Sequence, residues 1–260
     1  MKKKLLLIIT MAVMLLLAAC GNANEESGNS KKKVLRVGST AQSYPNGYEK
    51  DGKLVGYDVE VFEKIAANLG YDVKWVKTDF AGLMGQLETG KIETIANFVA
   101  VTKERKEKYN FSEPYAYAGV TIVTNKDNDY DSLDDLKGKT VSGVLGSNNV
   151  VNLQNFNPEI IAKTYETRDG AMNDAINKRV DGYVNAKSSL IAEIEKGDLP
   201  LKFVGEPFVY EDVSFPFAKN EEGEKLSEAF NAEIEKLRED GTLTELSKKY
   251  FSGEDITVKE

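Results

Sequence analysis

Residues 92–115 read IETIANFVAVTKERKEKYNFSEPY. The apolar run 92–101 predicts a strand, and Thr102 offers a hydroxyl able to cap a helix that starts behind it. Arg105 then falls in the first turn of that helix, at the positive end of its dipole. A cation in that place calls for an anion. Either a neighbouring acid such as Glu104 or Glu107 supplies it, or a ligand carboxylate does, gripped by the guanidinium fork.

The same alternation of strand and helix extends in both directions. Upstream, 34–38 reads as a strand, and 58–69 reads as a helix with Phe62, Ile65, Ala66 and Leu69 on one face and Gly70 as its stop. A strand over 73–76 and a helix over 80–87, ended by Gly90, lead into the opening stretch. Downstream, strands are predicted over 139–144, 160–165 and 182–184, with helices near 148–156 and 168–177 between them. A strand-like 213–218 precedes two helices, 222–240 and 242–250, separated by Gly241. This order predicts an α/β fold with parallel or mixed sheets and right-handed crossovers. The returning tail predicts two lobes, 34–116 with 213–254 and 117–212, leaving 255–260 as a tail. Crossings near 117–119 and 211–214 would form a two-strand hinge, with a cleft between the lobes. Trp75, the sole tryptophan, is expected in the core of the first lobe.

The N-terminus carries a targeting pattern. Lys2, Lys3 and Lys4 precede an apolar run, 5–17, that is shorter than the roughly 20 residues of a membrane span. Leu17-Ala18-Ala19-Cys20 resembles a bacterial lipobox, so 1–19 is expected to be a cleaved signal peptide and Cys20 the lipidated first residue. The polar stretch 20–33 reads as a tether. Loss of the three signal-peptide lysines changes the net charge from −8 to −11, which argues against nucleic acid as a partner. The chain has no histidine and one cysteine, so histidine bases, thiol catalysis in the folded part and Cys/His zinc sites are excluded by inventory.

Five motifs stand in one order along the chain: GKLVGYDVEVFEKIA (52–66), DFAGLMGQLETGKIETIA (79–96), TKERKEKYNFSEPYAYAG (102–119), DLKGKTVSGVLGS (135–147) and EDGTLTELSKKYF (239–251). From Leu35 to Phe251 the chain resembles family 3 of the bacterial extracellular solute-binding proteins, the polar amino-acid binders of ABC importers. Within that family it is most similar to binders of cystine and S-substituted cysteines. The resemblance implies a type II periplasmic-binding-protein-like fold, a monomer on the outer face of the cell membrane, an amino-acid ligand, an ABC permease with its ATPase as partners, and no cofactor. It implies that Arg105 holds the ligand carboxylate, that Ala100 donates a backbone N–H to it, and that the Phe98 carbonyl faces the ammonium. Phe80 would cover the ligand side chain; Gln42, Ser43 and Tyr44 would line the pocket, and Gly146, Ser147 and Asn148 would complete the carboxylate site from the second lobe.

The chain departs from the family pattern at two places. Relatives with D-A-x-x-x-D carry an acid five positions after the first Asp, whereas the position counted from Asp181 is Ala186, with Asn185 beside it. The loop 42–48 has Pro45-Asn46 where Pro-Phe is usual. Without that acid, either carbonyls and amides solvate the ammonium or the ligand carries none there, as in an N-acylated amino acid. The rival functions are an extracellular sensor, which is usually fused to a membrane span, and a dehydratase-like enzyme, for which the mapped cleft residues supply no proton shuttle.

If Cys20 is the anchor, Cys20→Ala protein is expected in the culture medium rather than the membrane fraction, because a polar tether gives no other hold on the bilayer. Fractionation and immunoblotting check this, and retention in the membrane would require a second anchor.

Overall fold

Strand and helix alternate through the computed structural model, which describes residues 32–259. The expected signal segment 1–19, Cys20 and the tether up to residue 31 lie outside the described residues. The first part of the chain holds β1 (Lys33–Ser39), β2 (Gln42–Ser43), β3 (Gly47–Lys50), β4 (Lys53–Val55), α1 (Tyr57–Asn68), β5 (Tyr71–Lys77), α2 (Phe80–Glu88), β6 (Thr94–Ile95), α3 (Lys103–Lys108) and β7 (Tyr109–Phe111). The middle holds β8 (Ala116–Asn125), β9 (Thr140–Val144), α4 (Asn148–Phe156), β10 (Ile161–Tyr165), α5 (Arg168–Ile176), β11 (Gly182–Ala186), α6 (Lys187–Gly197) and β12 (Leu201–Val213). The chain then returns through β13 (Pro216–Ala218), α7 (Glu221–Glu239) and α8 (Thr242–Tyr250).

One five-stranded sheet has the order β5-β1-β6-β13-β7, parallel through β5, β1 and β6 and antiparallel at β13. Phe62 and Ile65 of α1 pack with Phe230 and Ile234 of α7 and with Phe215 and Phe217, so segments far apart in sequence share one core. A separate core gathers Leu83 and Leu87 of α2 with Ile92, Ile95 and Val99. Trp75 packs edge-on against Phe62 at 5.8 Å and donates its Nε1–H to Glu63, so its place is structural, as expected. The second sheet has the order β10-β9-β11-β8-β12, with β8 antiparallel to both of its neighbours. Both sheets are therefore mixed, and each lies among helices.

The observed elements differ from the sequence reading at several points, and β8, α6 and most of β12 go beyond the elements it predicted. The strand expected over 92–101 pairs only at Thr94–Ile95, because Phe98 adopts φ +52° and turns the backbone; Ala100 returns as an isolated bridge to Val213. The strand-like 213–218 is split at Ser214 and Phe215 between the two sheets. The loop 42–48 is part of a three-stranded sheet, β2-β3-β4, whose short strands lack the apolar alternation that would reveal them. Residues 255–259, expected as a tail, are packed: the Tyr117 N–H donates to the Ile256 carbonyl at 2.7 Å and Arg238 donates to the Thr257 carbonyl at 2.6 Å.

The small sheet is fastened to the start of α1. Gly56, the N-cap residue, offers no side chain; instead the Tyr57 and Asp58 N–H groups donate to the Pro45 and Asn46 carbonyls at 3.0 and 2.9 Å. Gly56 has φ +140°, and a Cβ there would lie 2.3 Å from the Asn46 oxygen. Gly56→Ala is therefore expected to lower the unfolding free energy by at least about 2 kcal/mol, through backbone strain and a displaced turn. Denaturant unfolding measures it, and a loss below about 0.5 kcal/mol would mean the turn moves freely.

Candidate functional site

The loops that follow β1, β6, β9 and β10, together with the end of β11, open on one cavity of about 160 Å³. Ligands of open α/β sheets sit at such carboxyl ends. Gln42, Ser43, Phe80, Phe98, Ala100, Arg105, Ser147, Asn148, Asn185 and Ala186 all line it. Tyr44 does not. Its ring packs edge-on to Tyr48 at 4.9 Å beneath the Lys196 ammonium, and only its carbonyl turns inward, to accept from Arg168 at 2.6 Å. The turn that β2 and β3 enclose carries the ring away from the cavity.

Arg105 is held from several sides. Thr102 caps α3 as expected, its hydroxyl accepting from the Arg105 N–H at 3.1 Å. The guanidinium donates to the Ala100 carbonyl at 2.9 Å and, across the cleft, to the Gly146 carbonyl at 3.3 Å; it lies 5.7 Å from the Phe80 ring centroid. The nearby acid Glu104 instead pairs with Lys108 at 3.5 Å. Among the described residues no carboxylate forms an ion pair with Arg105, which leaves its guanidinium open to an anion in the cavity. Opposite, Ser147 stands at the N-cap of α4, but its hydroxyl donates to the Val144 carbonyl at 2.7 Å and leaves the first N–H groups of α4 without a side-chain cap. An anion between Arg105 and the start of α4 would satisfy both.

Four charged residues of the cavity lining were missed from sequence: Asp79, Glu166, Arg168 and Glu211. Arg168, in the first turn of α5, is half-buried; it donates to Tyr44, to Asn185 Oδ1 at 3.3 Å and to Glu193 at 3.3 Å. The argument applied to Arg105, a cation at a helix start after a capping Thr, applies equally to Thr167 and Arg168 and would have found it. Here the chain itself supplies the anion, Glu193. Glu211 of β12 also lines the cavity, and its Oε1 accepts from the amides of Asn148 and Asn152. Ser189 of α6 donates to Asn46 at 3.1 Å, tying that helix to the turn between β2 and β3.

Asp58 is fully buried, with Oδ1 accepting from the Tyr115 hydroxyl at 3.0 Å and, among the described residues, no hydrogen bond to Oδ2. Burial pushes its carboxyl up to about 7, against the opposing pull of Tyr115, the Phe98 N–H and Arg168. Burial also raises Glu193, and Arg168 opposes it. Among the described residues no group of acidic side chains is arranged to hold a metal ion.

A sequence model of the bacterial extracellular solute-binding proteins, family 3, matches residues 35–253. The probable amino-acid-binding protein YxeM of Bacillus subtilis is 54% identical over 90% of this chain and 91% of its own length. The L-cystine-binding protein TcyJ of Escherichia coli is 31% identical over 86% and 84%. Among solved structures, an ancestral arginine-binding protein bound to glutamine superposes with a TM-score of 0.78 at 33% identity, covering 85% of this chain and 98% of that one.

The buried carboxyl has a measurable consequence. Asp58 binds its proton more tightly folded than unfolded, so its stabilising contribution is complete below about pH 4 and is lost as pH rises toward 7. Stability should fall across that window with a slope approaching about 1.4 kcal/mol per pH unit from this group, and Asp58→Asn should remove it. Urea unfolding at several pH values reads the slope; an unchanged slope in the variant would show that Asp58 does not titrate there.

Proposed function

The chain belongs to the bacterial extracellular solute-binding proteins, family 3, and from that premise we propose that it captures a free amino acid of the cystine or S-substituted cysteine class. It then hands the ligand to the permease and ATPase of an ABC importer. In this reading the protein is a monomer held on the outer face of the cell membrane by lipid on Cys20, which lies outside the described residues. Two lobes, 34–116 with 213–254 and 117–212, close on the ligand by bending at the crossings near 117–119 and 211–214. The likeness to TcyJ supports the cystine class, and relatives named as binding proteins support a role without catalysis.

The observation that carries the reading is Arg105, a guanidinium in the cavity wall with no ion pair among the described residues. A ligand carboxylate would take the remaining guanidinium donors, the Ala100 N–H and the open start of α4. Phe80, already beside the guanidinium, would cover the ligand side chain, and the Phe98 carbonyl, Gln42, Ser43 and Asn185 would meet its polar groups. The polar lining, with Asn97, Asn148 and Asn149 facing the same space, suits a small ligand rich in hydrogen-bonding groups. An N-acylated cysteine derivative is the second reading, and the uncharged Ala186 in the lining favours it.

Calorimetry with L-cystine and S-methyl-L-cysteine tests the proposal. Wild-type protein should bind at least one of them, and Arg105→Ala should cost about 2–5 kcal/mol of binding free energy, as truncation of one partner of a buried charged pair does. Affinity within about threefold of wild type, less than 1 kcal/mol, would remove Arg105 from the carboxylate site.

A further inference from the structure

The uncharged Ala186 raises the question of what answers a ligand ammonium, and the second sheet supplies a candidate. We infer that Glu211, projecting from β12 into the cavity, is the counter-charge for the ligand's primary ammonium and so sets the preference for a free amine over an N-acylated one. This rests on the amino-acid reading above.

Register places the residue. Ala186 of β11 pairs with Val120 of β8, and on the other side of β8 Glu211 pairs with Ala118. Val120 and Ala118 are two residues apart on one strand, so Ala186, Ala118 and Glu211 share a face of the sheet, and all three line the cavity. β8 lies between β11 and β12, and its residue on that face is the small Ala118, so the Glu211 side chain can extend over it into the same cavity that an acid at 186 would enter.

The other carboxylates of the lining are engaged or remote. Asp79 caps α2, its Oδ1 accepting from the Gly82 N–H at 2.8 Å, with Thr78 on its other oxygen. Glu166 is exposed at the rim. Glu193, behind the lining, is taken by Arg168. Glu211 is half-buried, and the amides of Asn148 and Asn152 converge on its Oε1, fixing the carboxylate while no hydrogen bond within the described residues uses Oε2. Its negative field acts on Arg105 without an ion pair between them. An α-amino acid with its carboxylate on Arg105 carries its ammonium two bonds away, between those opposite charges. A buried ammonium meets its match there, whereas an amide would leave the carboxylate desolvated and unpaired.

The test is calorimetry of S-methyl-L-cysteine and its N-acetyl form, and of L-cystine and its N,N′-diacetyl form, on wild type and Glu211→Gln. Glutamine keeps an oxygen for Asn148 and Asn152, so the unliganded melting temperature should stay within about 3 °C. The expected result is a wild type that prefers the free amine by about a hundredfold or more, and a variant in which that preference shrinks by at least about tenfold. A preference ratio unchanged in the variant overturns the inference, even if both affinities fall, because Glu211 would then act only by positioning α4. A wild type that prefers the N-acetyl forms overturns it as well. A wild type that binds none of the four probes overturns the proposed ligand class and this inference together, whereas sensitivity to Arg105→Ala without any change from Glu211→Gln overturns this inference alone.

Discussion

One antiparallel ladder carries the molecule. β8 and β12 pair from Ala116–Val213 to Asn125–Leu201, with one irregularity between Val204 and Val209. Their outer parts are the middle and edge of the second sheet, and their inner ends are the two places where the chain passes between sheets. The Tyr115 N–H donates to Val213, and the Ser214 N–H donates to Val99 in the segment that carries Phe98 and Ala100. The residues beside Arg105 are thus hydrogen-bonded directly to the crossing. Any bend at the crossing must act on the wall of the cavity, which is the mechanical requirement for a cleft that senses what it holds.

Charge balance then separates two arginines that look alike in sequence. Both follow a capping threonine, but Arg168 opens a nine-residue helix whereas α3 is only six residues long, so Arg105 lies in its last turn as well as its first and the helix dipole does not decide its charge balance. Arg168 is answered by Glu193 and by carbonyl and amide oxygens, so it ties the α5 start to the small sheet and is structural. Among the described residues Arg105 forms no ion pair, and its guanidinium donates to one carbonyl from each side of the cleft. A guanidinium open to a polar cavity defines what must enter.

Strong punctuation made some elements readable. α4 and α8 fall on 148–156 and 242–250, where apolar periodicity and, for α8, the break at Gly241 were readable. At Arg105 the local sequence left two readings, a neighbouring acid or a ligand carboxylate; Phe80, Phe98 and Ala100 around it were named only through the family resemblance, and all of them line the cavity. Phe98 was not readable as a turn. Nothing in an apolar run announces a left-handed backbone, which here is over-determined by the packing of its ring against Phe251 and by its N–H beside Asp58. Glu211 could not be found either, since its side chain matters only once β12 is set in register against β8, and register between distant segments leaves no local mark.

The interleaving of the first sheet has a kinetic side. The second sheet is drawn from one continuous stretch, so its strands can meet soon after they are made. The first sheet needs Phe62 to reach Phe215 and Phe230, and α1 to reach α8, contacts that exist only when nearly the whole chain is available. High contact order makes such a core slow to nucleate and leaves apolar faces uncovered in the meantime. A chain delivered across a membrane N-terminus first would present α1 with no partner until the last helices emerge. Early folding would then begin in the middle of the molecule, with the two ends joining afterwards.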